Sequence, residues 1–203
     1  MDEAPERFVV ENLRLVDVPA VPGIKLYTAH PASGLYRLKR SPYWAFPWAG
    51  GLALARHVQA QPHQMAGRHI LDLGAGGGVV AIAAAKAGAA GVLAAEIDPH
   101  AIAALRLNAE ANGVEISILS EDLLGGEPPP VDLVLVGDLF YTPTLARRVA
   151  NFLDRCRAAG IDVLVGDPGR GPLPLDRLTL LAEYDVPDFG GGSGARGGVY
   201  GYG

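Results

Sequence analysis

The sequence predicts an α/β protein built on a doubly wound, mostly parallel sheet. From His69 to Gly166, short apolar runs typical of buried strands alternate with helical patterns. This alternation is typical of parallel strands joined by crossover helices. A glycine cluster, Gly74–Gly78, stands where the first of these strands meets the first helix. In such sheets, this turn is where the backbone approaches a bound ligand.

The N-terminal stretch lacks this alternation. Residues 1–41 contain short extended pieces separated by proline and glycine, which predicts a small extended flap rather than a core unit. These pieces are Phe8–Val10, Leu13–Val16, Ile24–Thr28 and Leu35–Leu38. The main domain is therefore expected over residues 42–203. Its first helix is expected to begin at Trp48, because Leu52, Ala55 and Val58 share one helical face.

Five strands and three helices are predicted in the alternating region. The strands are His69–Leu73, Gly91–Ile97, Glu115–Leu119, Val131–Val136 and Ile161–Gly166. The helices are Val79–Ala87, the segment from Pro99 towards Gly113, and Thr142–Ala159. Pro99 suits the first turn of its helix, and Asp98 before it is the candidate N-cap.

The C-terminal region is predicted from weaker patterns. We expect a helix near Leu173–Leu181, followed by strands at Ala182–Val186 and Val199–Tyr202. The residues between these strands, GGGSGARGG (190–198), predict a flexible loop.

Composition and charge argue against several classes of function. The 203 residues carry 17 Lys and Arg against 22 Asp and Glu, for a formal net charge of −5. We therefore expect no nucleic-acid partner, which would require a basic surface. The single cysteine, Cys156, gives no basis for a disulfide framework or a cysteine-based zinc site, and no histidine spacing indicates a metal site. The mixed, acidic start predicts a cytoplasmic protein, and no apolar run approaches the ~18 residues of a membrane span.

The segment LDLGAGGGVVAIAAA (71–85) carries the main functional signal. Gly74 and Gly76 fit the pattern G-x-G-x-x-V, whereas the dinucleotide fingerprint requires a small residue where Val79 stands. Asp72 lies beside the loop, where a carboxylate would repel a pyrophosphate and attract a cation. Together these residues favour S-adenosylmethionine, whose methionyl group carries positive charge, and they disfavour an NAD-dependent oxidoreductase.

Further acidic residues follow the next two strands. Glu96 ends the second strand of the alternating region, 22 residues after Gly74, where an acid can accept the ribose hydroxyls of a nucleotide cofactor. Asp98 is the nearby alternative, although Asp98–Pro99 is also typical of a helix start, and the choice between the two stays open. Asp122, after the third strand, is placed to accept the adenine amino group.

Longer segments of the chain resemble a known family. These segments are YWAFPWAGGLALARHV (43–58), LDLGAGGGVVAIAAAKAGAAGVLAAEIDP (71–99), LNAEANGVEI (107–116), GDLFY (137–141), VLVGDPGR (163–170) and LAEYDVP (181–187). Through them the chain resembles class I, or seven-β-strand, S-adenosylmethionine-dependent methyltransferases. Within this class it resembles bacterial relatives of the electron-transfer-flavoprotein β-subunit lysine methyltransferase. The resemblance covers about residues 42–187.

This resemblance implies a Rossmann-like methyltransferase sheet with a small N-terminal extension and an antiparallel C-terminal strand. It also implies transfer of methyl groups from S-adenosylmethionine to lysine ε-amines of a protein, with the electron transfer flavoprotein β subunit as the substrate. Trp48 would border the cofactor. Asp138, Phe140 and Tyr141 would line the active site just after the fourth strand.

The chemistry of these residues is compatible with a lysine acceptor. A carboxylate at Asp138 can orient an amine, and aromatic faces can hold a cation. A nucleophilic amine must be neutral, and an unperturbed lysine has a pKa of about 10.4. We therefore assign Asp138 to orientation and proton acceptance rather than to charge attraction alone. In GDPGR, Asp167 and Arg170 form either a turn with a surface ion pair or, by the resemblance, part of the substrate side.

Other functions stay open at this point. The acceptor is alternatively another protein nitrogen or a small-molecule amine, and the chain is alternatively a non-catalytic module that binds S-adenosylmethionine. Asp138 argues against such a module, because a site without catalysis need not keep an acid at its reacting end. The motif DLFY differs from the Asn-Pro-Pro-aromatic motif suited to planar amide or base nitrogens, which argues against nucleic-acid N-methylation. The sequence does not predict an oligomeric state.

Overall fold

The computed structural model describes residues 4–38, 40–187 and 194–203, in which it places nine strands and five α-helices. In chain order these elements are α1 (Pro5–Asn12), β1 (Arg14–Asp17), β2 (Lys25–Thr28), α2 (Ala49–Ala60), β3 (His69–Leu73), α3 (Val79–Lys86), β4 (Gly91–Ala95), α4 (Pro99–Ala111), β5 (Ser117–Leu119), β6 (Leu133–Gly137), α5 (Pro143–Ala158), β7 (Asp162–Asp167), β8 (Leu178–Val186) and β9 (Ala195–Tyr202). None of these five helices combines the length and the hydrophobicity needed to cross a bilayer.

Strands β3 to β9 form one seven-stranded sheet in the order β5-β4-β3-β6-β7-β9-β8. Strands β3 to β7 pair in parallel, and β9 runs antiparallel to both of its neighbours. The order reverses at β3, because β4 and β5 extend the sheet to one side and β6 and β7 to the other. The predicted doubly wound, mostly parallel sheet with an antiparallel C-terminal strand is confirmed. The five strands and three helices predicted for the alternating region are all present, with ends shifted by a few residues.

The parallel strands are apolar throughout because helices cover both faces of the sheet. Leu71 and Val134 belong to the core beneath α5, whereas Ile70 and Leu133 belong to the core beneath α2 and α3. Successive side chains of a strand point to opposite faces. A strand buried on both faces therefore reads as a continuous apolar run in the sequence.

Helix α2 meets the sheet through a contact made by backbone atoms. A Cβ atom added at Gly166 in β7 would lie 2.2 Å from the Gly50 carbonyl oxygen. A Cβ atom added at Gly137 in β6 would lie 3.0 Å from the Gly51 Cα. Glycine is the residue that permits so close an approach of two backbones. The contact brings the N-terminus of α2 against the carboxyl ends of β6 and β7.

The sequence predicted an extended N-terminal segment, but two of its pieces are helical. Phe8–Val10 lies in α1, which buries Phe8 and Val9 against α4. This tertiary contact favours a helix where the local pattern predicted a strand. Leu35–Leu38, also predicted as extended, contains a 3₁₀ turn at Leu35–Arg37 instead.

Strands β1 and β2 form an antiparallel hairpin, which confirms the other two extended pieces predicted for this segment. A buried asparagine of α4 ties the hairpin to the glycine loop. Asn108 Oδ1 accepts a hydrogen bond from the Tyr27 N–H at 2.7 Å, and Asn108 Nδ2 donates to the Gly77 carbonyl oxygen at 2.8 Å. One amide thus satisfies backbone groups of both β2 and the loop after β3. The division of the chain between residues 41 and 42 remains a prediction.

The helix predicted near Leu173–Leu181 is wrong. A single 3₁₀ turn, Leu175–Arg177, is followed directly by β8, which pairs along its length with β9. Pairing with β9 favours a strand in this segment over the helix that the local pattern predicted. The predicted last strand is present as β9. Residues 190–193 of the glycine-rich loop predicted over 190–198 lie outside the described residues. The prediction is wrong for residues 195–198, because they pair with β8 as the first part of β9.

Replacing Gly166 with alanine is expected to destabilise the fold by about 3 kcal/mol or more, because the new Cβ would overlap the Gly50 carbonyl oxygen. Urea denaturation followed by circular dichroism measures the free energy of unfolding. Gly125→Ala is the matched control, since no atom lies within 4 Å of a Cβ at that position, and its effect should stay below about 0.5 kcal/mol. Equal stability of the two variants would contradict a close contact between α2 and β7.

Candidate active site

Loops at the carboxyl ends of the parallel strands enclose a cavity of about 840 Å³. Its position at the reversal of strand order is where open α/β sheets bind ligands, and its volume lies within the range of about 300–1,000 Å³ found for small-molecule sites. Six acidic side chains and three arginines line it, so the cavity favours a ligand with positive charge. The acids are Asp72, Glu96, Asp98, Glu121, Asp122 and Asp138, and the arginines are Arg40, Arg148 and Arg170.

The glycine loop after β3 forms one wall of this cavity. Gly74, Gly76 and Gly78 have positive φ angles of 69°, 53° and 86°, a conformation that glycine adopts without strain. A Cβ atom at Gly74 would lie 2.7 Å from Leu139 Cδ2, so the loop is wedged against the segment after β6. Gly74 and Gly76 both line the cavity, where their predicted cofactor role requires them to be.

Asp72 lies near the end of β3 with 2% of its surface exposed. Its Oδ2 accepts a hydrogen bond from the Ala81 N–H, in the first turn of α3, at 2.9 Å. The N-cap residue of α3, Gly78, has no side chain that could accept this bond, so Asp72 supplies the missing cap. Burial raises the pKa of Asp72 to about 7, while the Ala81 N–H opposes the rise and Glu96 adds to it. Because Asp72 also lines the cavity, a cation bound there would stabilise its ionised form.

Glu96 and Asp98 both follow β4 and line the cavity, but they hold different groups. Glu96 accepts hydrogen bonds from the Gly76 N–H at 2.9 Å and from the N–H groups of Ile97 and Asp98. Asp98 accepts a hydrogen bond from the His100 N–H at 2.8 Å as the N-cap of α4, which confirms the predicted helix start. Asp98 is thus engaged by its own helix, and Glu96 is the carboxylate that reaches across to the glycine loop.

Asp122 lines the cavity after β5 and is held in an ion pair. Its Oδ1 accepts a hydrogen bond from the Leu124 N–H at 3.0 Å, and its Oδ2 accepts one from Arg148 Nη2 at 2.7 Å. The hydrogen bond from Arg148 outweighs the effect of burial and lowers the pKa of Asp122. A ligand amino group that binds Asp122 therefore shares the carboxylate with Arg148 of α5.

Asp138 follows β6 and is, among the described residues, the one non-glycine residue with a positive φ angle, at 60°. Aspartate tolerates this conformation better than most residues do. The Asp138 Oδ1 accepts a hydrogen bond from the Gly50 N–H at 3.0 Å, and its Oδ2 accepts one from the Gly51 N–H. These donors belong to the first turn of α2, the positive end of its dipole, so the helix fixes the position of the carboxylate.

Arg170 connects Asp138 to a second carboxylate. Its Nη1 donates to Asp138 Oδ1 at 2.6 Å and to Asp167 Oδ2 at 3.0 Å. Asp167 is fully buried at the end of β7, so its interpretation as part of a surface ion pair does not hold. Burial raises the pKa of Asp138, although Arg170 and the N–H groups of α2 oppose the rise. Burial disfavours the charge of Arg170, but the two carboxylates outweigh it and raise the pKa of Arg170.

Six aromatic side chains line the cavity, and three of them, Tyr43, Trp48 and Tyr141, lie close to one another. The ring centroids of Tyr43 and Tyr141 lie 5.8 Å apart, and those of Tyr43 and Trp48 lie 6.2 Å apart. Trp48 Nε1 donates to the Tyr43 carbonyl oxygen at 2.7 Å, which fixes the indole at the start of α2. Tyr43 and Tyr141 are 58% and 50% exposed, so solvent and ligands have access to their rings.

Phe140 does not line the cavity, and its predicted position there is corrected. Its side chain is fully buried in the core beneath α5, in the same cluster as Val149 and Phe152. Its neighbours Leu139 and Tyr141 both line the cavity. The Phe140 side chain between them turns into the core instead. The catalytic roles of Asp138 and Tyr141 remain predictions.

Sequence reasoning missed several contributors to the site. The backbone donors of Gly50 and Gly51 gave a readable signal, because glycine in the first turn of a helix lowers helix propensity and indicates a close backbone contact. Arg148 gave none, since it is one of several arginines on an amphipathic helix. Tyr43 belongs to the aromatic segment that the sequence singled out, without being assigned a role.

Comparison with known proteins connects these features to methyltransferases. The chain is similar to the electron transfer flavoprotein β subunit lysine methyltransferase of Xenopus laevis, with 38% identity over 91% of this chain and 80% of that protein. It is also similar to the protein of the same name from Danio rerio, with 35% identity over 90% of this chain and 76% of that protein. Residues 55–153 match the model of the ribosomal protein L11 methyltransferase family.

A solved structure shows the same architecture. The ribosomal protein L11 methylase of Lactobacillus delbrueckii subsp. bulgaricus superposes with a TM-score of 0.52 over 73% of this chain and 76% of that chain. The two sequences are 20% identical, so this likeness concerns the fold alone.

The raised pKa of Asp72 is expected to make the stability of the fold depend on pH. The unfolded chain loses this proton near pH 3.9, whereas the folded protein holds it until about pH 7. The stabilisation due to Asp72 is therefore fully present below about pH 4 and is lost as the pH rises through 7. Asp72→Asn removes this titration. Between pH 5 and 8, the variant should gain on the order of 2 kcal/mol of stability relative to the wild type, as measured by urea denaturation at each pH.

Asp162→Asn is the control for this measurement. The hydrogen bond from Arg68 lowers the pKa of Asp162, so the stability difference between that variant and the wild type should stay constant from about pH 5 to 8. A constant difference for Asp72→Asn as well would contradict a proton held on Asp72 near neutral pH.

Proposed function

The chain belongs to the family of electron transfer flavoprotein β-subunit lysine methyltransferases and is an S-adenosylmethionine-dependent methyltransferase, and from this we propose that it methylates lysine ε-amines of the electron transfer flavoprotein β subunit. The observation that carries the proposal is the position of Asp138. Its carboxylate is fixed by α2 and Arg170 in an acidic cavity that the accessible rings of Tyr43 and Tyr141 also line. A carboxylate and aromatic faces together suit an alkyl amine.

The residues around the cavity fit S-adenosylmethionine. The excess of acidic side chains matches a cofactor whose sulfonium and amino groups are cationic. The glycine loop presents backbone without Cβ atoms at Gly74 and Gly76, which allows close approach of a ligand. Glu96 at the end of β4 offers a carboxylate for hydroxyl donors. None of these features favours a pyrophosphate, for which Asp72 is poorly suited.

We assign the cofactor-binding residues by their places around the cavity. Glu96 would accept the ribose hydroxyls, and Asp122 would accept the adenine amino group; both lie on the β4 and β5 side of β3. Asp72, at the end of β3 itself, would balance the positive charge, and Trp48 would border the reacting end. When bound, S-adenosylmethionine supplies an electrophilic methyl group on a sulfonium sulfur.

The acceptor side is formed by residues after β6 and β7. Aromatic faces attract cations within about 6 Å, so Tyr43 and Tyr141 can guide a lysine side chain towards Asp138. Asp138 then accepts an N–H of the neutral amine and aims the nitrogen lone pair at the methyl carbon. The lone pair would form the new N–C bond with the methyl group that the cofactor supplies, as the S–C bond breaks and its electron pair stays on sulfur. The nitrogen would then lose a proton to the Asp138 carboxylate, and alignment is the main contribution of the protein.

Methylation of the purified flavoprotein tests this function. The enzyme is incubated with tritiated S-adenosylmethionine and the electron transfer flavoprotein, and peptides are then analysed by mass spectrometry. We expect label in the β subunit, with the added methyl groups on lysine nitrogen. An unlabelled β subunit, together with label in a small molecule or in another protein of a lysate, would contradict the proposed substrate.

Asp138→Asn should lower the rate of methyl transfer about 100-fold or more. The amide cannot accept a proton and places an N–H group where the carboxylate now accepts hydrogen bonds, while asparagine still tolerates the positive φ angle. Cofactor affinity, measured by isothermal titration calorimetry, should be unchanged because Asp138 lies on the acceptor side. Asp154→Asn, which breaks an exposed ion pair with Arg177, should leave the rate unaffected. An unchanged rate in Asp138→Asn would exclude Asp138 from the chemistry.

A further inference from the structure

Two carboxylates near the acceptor site share one cation. A single nitrogen of Arg170, Nη1, lies 2.6 Å from Asp138 Oδ1 and 3.0 Å from Asp167 Oδ2. The exposed fractions of the side chains are 12% for Asp138, 0% for Asp167 and 26% for Arg170, so water screens these charges weakly. Asp167 Oδ1 also accepts the backbone N–H of Arg170 at 2.7 Å. The turn after β7 thereby presents the guanidinium to Asp138.

The charged and titratable groups around Asp138 come from several elements of the fold. Helix α2 contributes backbone N–H groups, and Arg170 is the one cation that contacts Asp138 among the described residues. The titratable side chains of this region are Asp167 from the turn after β7, Asp72 from β3, Glu96 from the end of β4, Tyr141 from the segment after β6, Tyr43 from the 3₁₀ turn before α2, and Tyr200 from β9. Arg40 and Arg148 also line the cavity, but among the described residues Arg170 is the cation that pairs with Asp138 and opposes the rise in its pKa.

A lone carboxylate would hinder the reaction proposed for this site. The substrate amine must be neutral to attack the methyl carbon, whereas an adjacent uncompensated carboxylate favours the ammonium form. We propose that Arg170 is a positioning residue that neutralises Asp138, so that the carboxylate orients the substrate amine without retaining its proton. This inference rests on the proposed function and adds a determinant of its pH range.

The hydrogen bonds of Asp138 leave room for this role. Oδ1 accepts hydrogen bonds from the Gly50 N–H and from Arg170, whereas Oδ2 accepts one, from the Gly51 N–H, within the described part of the chain. A carboxylate oxygen accepts two hydrogen bonds. Oδ2 therefore has capacity for one N–H of the amine, while Arg170 holds the opposite oxygen.

Removal of the guanidinium charge should increase proton retention at the site. The negative charges of Asp138 and Asp167 would then act on the amine without a cation, which favours the ammonium form. Asp138 itself would also bind a proton more readily. Both effects raise the pH at which methyl transfer becomes fast. Methyl transfer would require a higher pH, while its rate on the alkaline side would be restored.

The pH dependence of single-turnover methyl transfer, with saturating cofactor and flavoprotein, tests this inference. This rate reports the chemical step and the groups in the bound complex. In Arg170→Gln, the acid limb of the profile should move upwards by about 1 pH unit or more, so that the rate at pH 7 falls about 10-fold or more while the rate near pH 10 approaches that of the wild type. Arg170→Lys should keep the limb of the wild type, because a single nitrogen makes both contacts and an ammonium keeps the charge.

Arg177→Gln is the matched control, since it breaks an arginine–aspartate pair with Asp154 that lies outside the cavity; its profile should coincide with that of the wild type. If Arg170→Gln lowers the rate equally at every pH, Arg170 is a structural clamp and the inference is overturned. If Arg170→Gln does not fold, Arg170→Lys decides, because a shifted limb in that variant would show that the charge is not what matters. A wild-type enzyme without lysine methylation would overturn the proposed function and this inference with it, whereas an active wild type with an unshifted glutamine variant overturns the inference alone.

Discussion

The active site depends on a contact between two backbones. Helix α2 can donate its first N–H groups to Asp138 because Gly50 and Gly166 bring the helix and β7 closer than any side chain would allow. The helix dipole then favours a carboxylate at this point, and the positive φ angle of Asp138 turns the side chain towards it. The position of the Asp138 carboxylate, and the helix dipole that favours its charge, therefore depend on the absence of Cβ atoms at Gly50 and Gly166.

Hydrogen bonds within the protein orient four of the acids that line the cavity. Asp72 is bonded to Ala81, Glu96 to Gly76, Asp122 to Arg148 and Asp138 to Arg170. A ligand thus meets carboxylates whose rotamers are already fixed, which reduces the ordering that binding requires. The proposed function assigns the acids after β4 and β5 to the cofactor, and Asp138 with its partners after β6 and β7 to the acceptor.

The sequence was most informative where local chemistry decides the structure. Asp98–Pro99 marked a helix start, and the glycine cluster marked the ligand-binding turn, because capping and positive φ angles are local properties. Phe140 and Phe8 were misplaced because burial in a distant core decided their orientation. Arg170 drew attention as part of GDPGR, but its bridge joins residues from two strands, and a linear pattern does not reveal which carboxylates share one guanidinium.

The amide of Asn108 joins the N-terminal hairpin to the glycine loop. Its oxygen is buried and bonded to the backbone of β2, while its nitrogen holds the glycine loop of the methyltransferase site. A fragment that lacked the hairpin would lose this hydrogen bond, worth about 0.5–1.5 kcal/mol, next to the glycine loop that lines the cavity. The amide thereby couples the N-terminal hairpin to the Rossmann-like core across the predicted boundary between residues 41 and 42.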